Sequence, residues 1–173
     1  MIKYHFFYFI YCQVWYNIKW KWEIIMKEYK QLGAYGLIEK NNKILLIKKY
    51  GGPYNGKLDL PGGTIEFCEK PESTLKRELM EEVGIEVIDY QLFDVDSVSF
   101  NWKYKDNLLK VHHIGIFYKV TKYKNNIKKN ITIDKINDDS LGADFYDINK
   151  LSKNNLSAIA IIALKKLGYN IKN

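Results

Sequence analysis

The chain has 173 residues, enough for one domain with a real core, and 47% of them are hydrophobic, an ordinary share for a soluble globular protein. The formal net charge is +7, but the lysines are scattered among Asn and Ile residues. The excess therefore reads as compositional bias with some attraction for anionic metabolites, and it predicts no DNA partner. Two cysteines, Cys12 and Cys68, without CxxC or Cys/His spacing, exclude a disulfide framework and a zinc site and predict reduced thiols in a cytoplasmic protein.

Residues 1–25 are dense in aromatics and lack clean periodicity. The uncharged run from His5 to Ile18 is too short to span a bilayer, and no small-residue cleavage site follows it. An interfacial anchor is one reading of the segment; an extension upstream of a natural start at Met26 is the preferred one. The domain is thus expected over residues 26–173.

From Leu32 to Ile38 the pattern predicts a strand, paired through an Asn41-Asn42 turn with a second strand over residues 43–48. Gly51 to Gly56 is a loop, residues 58–60 a short strand, and Ile65 to Phe67 an extended stretch. A helix is expected from Pro71, a suitable first-turn residue, to Val83, with Gly84 just beyond its end. Strand signals follow at 85–95, 97–104 and 109–120, then a basic loop over 122–135, a second loop at 138–142 and a short strand at 145–148. Ser157 is a good N-cap for a closing helix over 158–167. Strands broken by one central helix and closed by another predict a mixed sheet between helices.

The central helix carries the chemistry. Glu78, Glu81 and Glu82 stand at i, i+3 and i+4, so their carboxylates share one helical face, while Leu75, Leu79 and Val83 form the apolar stripe beside it. Like charges this close repel, and a hard divalent cation with oxygen ligands is what such a cluster can serve. Before the helix, Leu60-Pro61-Gly62-Gly63 is a turn whose glycines let the backbone approach a ligand.

Gly63, Glu69, Arg77, Glu78, Leu79, Glu81, Glu82, Gly84 and Ile85 match the Nudix box, G-x5-E-x7-R-E-U-x-E-E-x-G-U with U apolar, at every fixed position. The chain resembles the Nudix (MutT-like) hydrolases, strongly in the box and more weakly from Met26 to the C-terminus. The resemblance implies an α/β (α+β) fold, an α/β/α sandwich with a mixed sheet and a catalytic loop-helix-loop. It implies Mg²⁺-dependent hydrolysis, with Mn²⁺ able to substitute, of a nucleoside diphosphate linked to another moiety. It assigns Glu78, Glu81 and Glu82 to metal and water, the Gly63 carbonyl as a further ligand, and Arg77 as an orienter paired with Glu69. Which glutamate is the base stays open, and Asp139 is a candidate for one more acidic ligand.

Among substrates, nucleoside triphosphates, including modified ones, are favoured over dinucleoside polyphosphates and nucleotide sugars. The absence of any proline after Pro71 counts against an ADP-ribose hydrolase. A non-catalytic, nucleotide-sensing domain is the reading from a different class, and the intact box weighs against it. A monomer or homodimer is expected. Phe100, Trp102 and Tyr104 alternate on one face of a strand, where they are candidates to stack a base. His112 and His113 should point to opposite faces in structural or surface roles. Cys68 occupies a position where relatives often have glycine and is expected as a half-buried thiol; Leu58 replaces a common tryptophan.

Overall fold

The computed structural model describes residues 27–129 and 140–173. The aromatic extension and Asp139 lie outside the described residues. Two four-stranded sheets build the centre. In the first, β1 (Lys27–Leu37) runs parallel to β7 (Asn107–Lys124), with β5 (Gly62–Thr64) antiparallel on one flank and β6 (Glu86–Tyr104) on the other. In the second, β3 (Lys43–Lys49) pairs along its length with β8 (Ser140–Asp147) and at its two ends with β2 (Glu39–Lys40) and β4 (Leu58–Asp59). The β2–β3 turn is Asn41-Asn42 as expected; both residues have positive φ, 51° and 59°, a conformation asparagine tolerates and a tight hairpin demands.

Side chains alternate across β3 and so define two apolar layers. Ile44 and Leu46 point towards α2 (Ala158–Lys166) and join Tyr35, Leu37, Phe117, Ile159 and Leu164. Leu45 and Ile47 point towards α1 (Pro71–Glu78) and join Ala34, Leu75, Leu79, Val83 and Val120. Each fully buried Leu or Ile contributes about 1.5–3 kcal/mol to such a layer. The result is the α/β/α sandwich with a mixed sheet that the box implied. Among the described residues no helix is long and apolar enough to cross a membrane.

Several boundaries depart from the sequence reading. β6 is one strand of 19 residues, not two, because register shifts near Asp89 and between Leu92 and Asp94 break the alternation that the sequence displays. β7 continues to Lys124 and β8 begins at Ser140, so parts of both expected loops are strand. The strand beside the box is Gly62–Thr64 rather than residues 65–67: its backbone pairs with β1, while Phe67 and Cys68 form an exposed turn. The expected half-buried Cys68 thiol is therefore exposed, and its φ of 64° explains why glycine suits that position.

Candidate active site

The box folds as loop, helix and loop. Pro71 opens α1, and Leu75 and Leu79 seat it on the sheet at zero exposure. After Glu78 the helix widens into a π-helical turn, Leu79–Val83, closed by Gly84 at φ 80°. Such wide turns occur often at functional sites. Here the turn leaves Glu82 buried, 3% exposed, while the Glu81 side chain stays more than half exposed.

Arg77 organises the acids. Its Nε and Nη2 donate to the two oxygens of Glu69, both at 3.0 Å. Nη1 donates to Glu78 Oε1 at 2.7 Å and to Glu81 Oε2 at 3.2 Å, and Nη2 also reaches the carbonyl of Thr64 at 3.3 Å. Glu69 further accepts from the Thr74 hydroxyl at 2.7 Å and from the Glu66 amide at 3.1 Å. The Arg77–Glu69 pairing implied by the box is thus a two-pronged ion pair. Glu82 turns elsewhere: Oε2 accepts from the Gly62 amide at 2.9 Å, and Oε1 lies 3.7 Å from Lys49 Nζ. A Cβ at Gly63 would stand 2.4 Å from Glu78 Oε1, so any larger residue there would push the Glu78 carboxylate aside.

These contacts hold the Glu69 carboxyl at about 2, well below its usual range, chiefly through the Arg77 hydrogen bonds and then Thr74. A carboxylate lowered on folding stabilises the fold above its ordinary value of 4.5, and that contribution is lost as pH falls towards 2. The protection of the Glu66 amide against hydrogen exchange, taken relative to its intrinsic rate at each pH, should therefore fall through that window, and Glu69→Gln should flatten that change.

All the donors here are hard oxygens, from Glu78, Glu81, Glu82 and the backbone at Gly63, which is the chemistry a Mg²⁺-like cation selects. Among the described residues no three acidic, His or Cys side chains converge closely enough to hold an ion as they stand. Arg77 draws Glu78 and Glu81 to itself, so a cation there would compete with the guanidinium for these oxygens.

One cavity of about 500 Å³ joins the box to the sheet face. It is lined by Gly62, Gly63, Arg77 and the three glutamates, with Lys49, and also by Tyr29, Tyr35, Tyr54, Trp102 and His113. Of the aromatic stripe, Trp102 alone faces this cavity. Phe100 packs into the α2 layer against Tyr54, and Tyr104 lies at the exposed hairpin end, its ring 5.0 Å from that of Trp102. His112 and His113 do take opposite faces, and His113 is 1% exposed. Sequence reasoning missed Lys49, Tyr35 and Tyr54. Lys49 ends a strand and Tyr54 sits in a Gly/Pro loop, and nothing local marks either as facing the box.

A NUDIX domain model matches residues 30–163, and the chain belongs to that family. It is 34% identical over 118 residues to an ADP-ribose pyrophosphatase of Methanocaldococcus jannaschii, covering 68% of this chain and 62% of that protein. It is 41% identical over 63 residues to an 8-oxo-dGTP diphosphatase of Escherichia coli, covering 35% of this chain and 49% of the relative. The chain thus spans less than two-thirds of the length of the first of these relatives and about half of the second. In fold it resembles a MutT NUDIX hydrolase from Burkholderia pseudomallei, with TM-score 0.63 and 22% identity over 80% of this chain and 98% of that one.

Proposed function

We propose that the protein is a divalent-metal-dependent hydrolase that cleaves a pyrophosphate bond in a nucleoside diphosphate linked to another moiety. The observation that carries this reading is one cavity lined both by the box residues Gly63, Arg77, Glu78, Glu81 and Glu82 and by aromatic rings. A nucleotide has two corresponding parts, a polyanionic chain joined to a flat base. Bound among Glu78, Glu81, Glu82 and the Gly63 backbone, Mg²⁺ or Mn²⁺ would neutralise phosphoryl oxygens and acidify water. The chain's own residues do the rest. Glu82, anchored on the Gly62 amide, holds a carboxylate at the buried edge of the site. Arg77 orients Glu78 and Glu81 and is itself fixed by Glu69. Lys49 adds positive charge beside Glu82, where a phosphate chain would lie. One of Glu78, Glu81 and Glu82 orients the attacking water, and Asp139 remains a candidate further ligand.

Nucleoside triphosphates, including modified ones, are the preferred substrates, in keeping with the activity named for the E. coli relative. The Methanocaldococcus relative supports ADP-ribose as a second reading, against the missing proline. A cytoplasmic setting and a monomer or homodimer complete the proposal. The test is product separation after incubation with a panel of nucleoside triphosphates, ADP-ribose and dinucleoside polyphosphates with Mg²⁺. Binding without turnover of any of them would indicate a sensing domain instead.

Stacking is assigned to Trp102, which lines the cavity together with Tyr29. Trp102→Ala should raise KM for nucleotides by about tenfold, the worth of one stacked base, with the smaller effect on kcat. Steady-state kinetics check this, and an unchanged KM would move the base elsewhere.

A further inference from the structure

Three of the rings that line the cavity form a polar relay to which the hydrolytic reading gives no role. Tyr35 on β1, His113 on β7 and Tyr54 in the loop after β3 are linked through the imidazole. Tyr35 Oη lies 2.6 Å from Nε2, and Tyr54 Oη lies 3.1 Å from Nδ1. The three rings also touch: Tyr35 stands edge-on to His113, with centroids 5.5 Å apart, and Tyr54 is stacked on it at 5.7 Å. The site is built for this arrangement. Gly33 and Gly115 are register partners on neighbouring strands, and a Cβ on Gly33 would meet the Tyr35 hydroxyl at 2.5 Å.

Burial and the nearby Lys49 charge lower the His113 imidazole to about 4, so it is neutral at physiological pH. Burial first, and then Asp59, raise both phenols above their ordinary value, so both keep their protons. A neutral imidazole has one N–H and one lone pair, so one tyrosine must donate to it and the other must accept. The distances suit one of the two tautomers: the 2.6 Å Tyr35 contact fits an O–H donating to Nε2, and the 3.1 Å Tyr54 contact fits Nδ1–H donating to the phenol oxygen. Tyr54 then accepts from the histidine and has its own proton left to give. Tyr54 lines the cavity.

We propose that the Tyr35–His113–Tyr54 relay is a specificity-determining device that fixes Tyr54 as a hydrogen-bond donor to the substrate's base. It selects nucleotides whose base presents an acceptor, such as a keto oxygen, over those that present an amino group. This rests on the nucleotide hydrolase reading above and decides between its two substrate classes, because ADP-ribose carries the amino form.

ITP and ATP are suitable probes, since they differ only at the base edge, keto against amino. The wild type should favour ITP in kcat/KM by on the order of tenfold, the scale of one net hydrogen bond, and the difference should fall on KM. Tyr54→Phe keeps the ring and its packing and should bring the ITP/ATP ratio close to one. His113→Gln, which can still accept from Tyr35 and donate to Tyr54, should keep the preference, whereas His113→Leu should lose it. An unchanged ratio in Tyr54→Phe, or a wild type that favours ATP, overturns the proposal. Calorimetric titration of both nucleotides with Mg²⁺ separates the two levels of the reading. Preferential ITP binding that Tyr54→Phe abolishes, without turnover, upholds the relay and overturns the hydrolase. Turnover with an unaltered ratio overturns the relay alone, and binding of neither nucleotide overturns both.

Discussion

Glu82→Gln should lower kcat roughly a thousandfold, the several kcal/mol that a metal-assembled site contributes to the transition state, and leave the protein folded. Glutamine has the same shape and keeps an oxygen to accept from the Gly62 amide, which lies 2.9 Å from the present carboxylate. What it lacks is the negative charge at the buried end of the cavity. The 3.7 Å ion pair with Lys49 loses its charge attraction, so a drop of a few degrees in the thermal midpoint is expected. Glu81→Gln should cost activity on a similar scale with less effect on stability, because the Glu81 side chain is more than half exposed and, among the described residues, pairs with Arg77 at 3.2 Å. Circular dichroism melts and initial rates, measured on the same preparations, check both. Near-normal turnover in both variants would remove the glutamates from the chemistry.

Arg77→Ala should reduce activity about 10–100-fold, the usual cost of removing a group that orients metal ligands. One guanidinium holds Glu69, Glu78 and Glu81 and also reaches the Thr64 carbonyl. Without it, three carboxylates face one another with no common cation, and their mutual repulsion spreads them. The loop from Thr64 to Lys70 loses its anchor at the same time. Arg77→Lys should rescue little, since a lysine cannot grip both oxygens of Glu69 while donating to Glu78. Added Mg²⁺ should restore part of the alanine variant's rate, because the cation takes over some of the neutralisation. Rates across a Mg²⁺ series decide this. A loss confined to thermal stability, with full activity at low temperature, would reduce Arg77 to a structural role.

The box was legible in the sequence because it is local. Nine fixed positions within 23 residues placed the helix, its Gly84 end and the Arg77–Glu69 pair, and Pro71 marked its start. The Asn41-Asn42 hairpin and the Ser157 cap, whose hydroxyl accepts from the Ala160 amide, were legible for the same reason. Features set by distant partners were not. The Gly62–Thr64 strand has weak intrinsic propensity and exists because β1 offers a backbone edge. The bulges in β6 hide one long strand behind a broken alternation. His113 reads as an ordinary strand residue, and only the pairing of β1 with β7 and the fold of the Tyr54 loop surround it with two phenols. Likewise, Arg77 standing between Glu78 and Glu81 follows from side-chain geometry that spacing alone does not express.

The most direct test of the central claim is nucleotide hydrolysis as a function of metal, followed by chromatographic separation of the products. Mg²⁺ or Mn²⁺ should support turnover of at least one nucleoside diphosphate derivative, with Ca²⁺ a poor substitute because its coordination is larger and looser. EDTA should abolish the activity, and Glu82→Gln should show almost none with any metal. Turnover that persists in EDTA, or that Glu82→Gln leaves intact, would contradict the account.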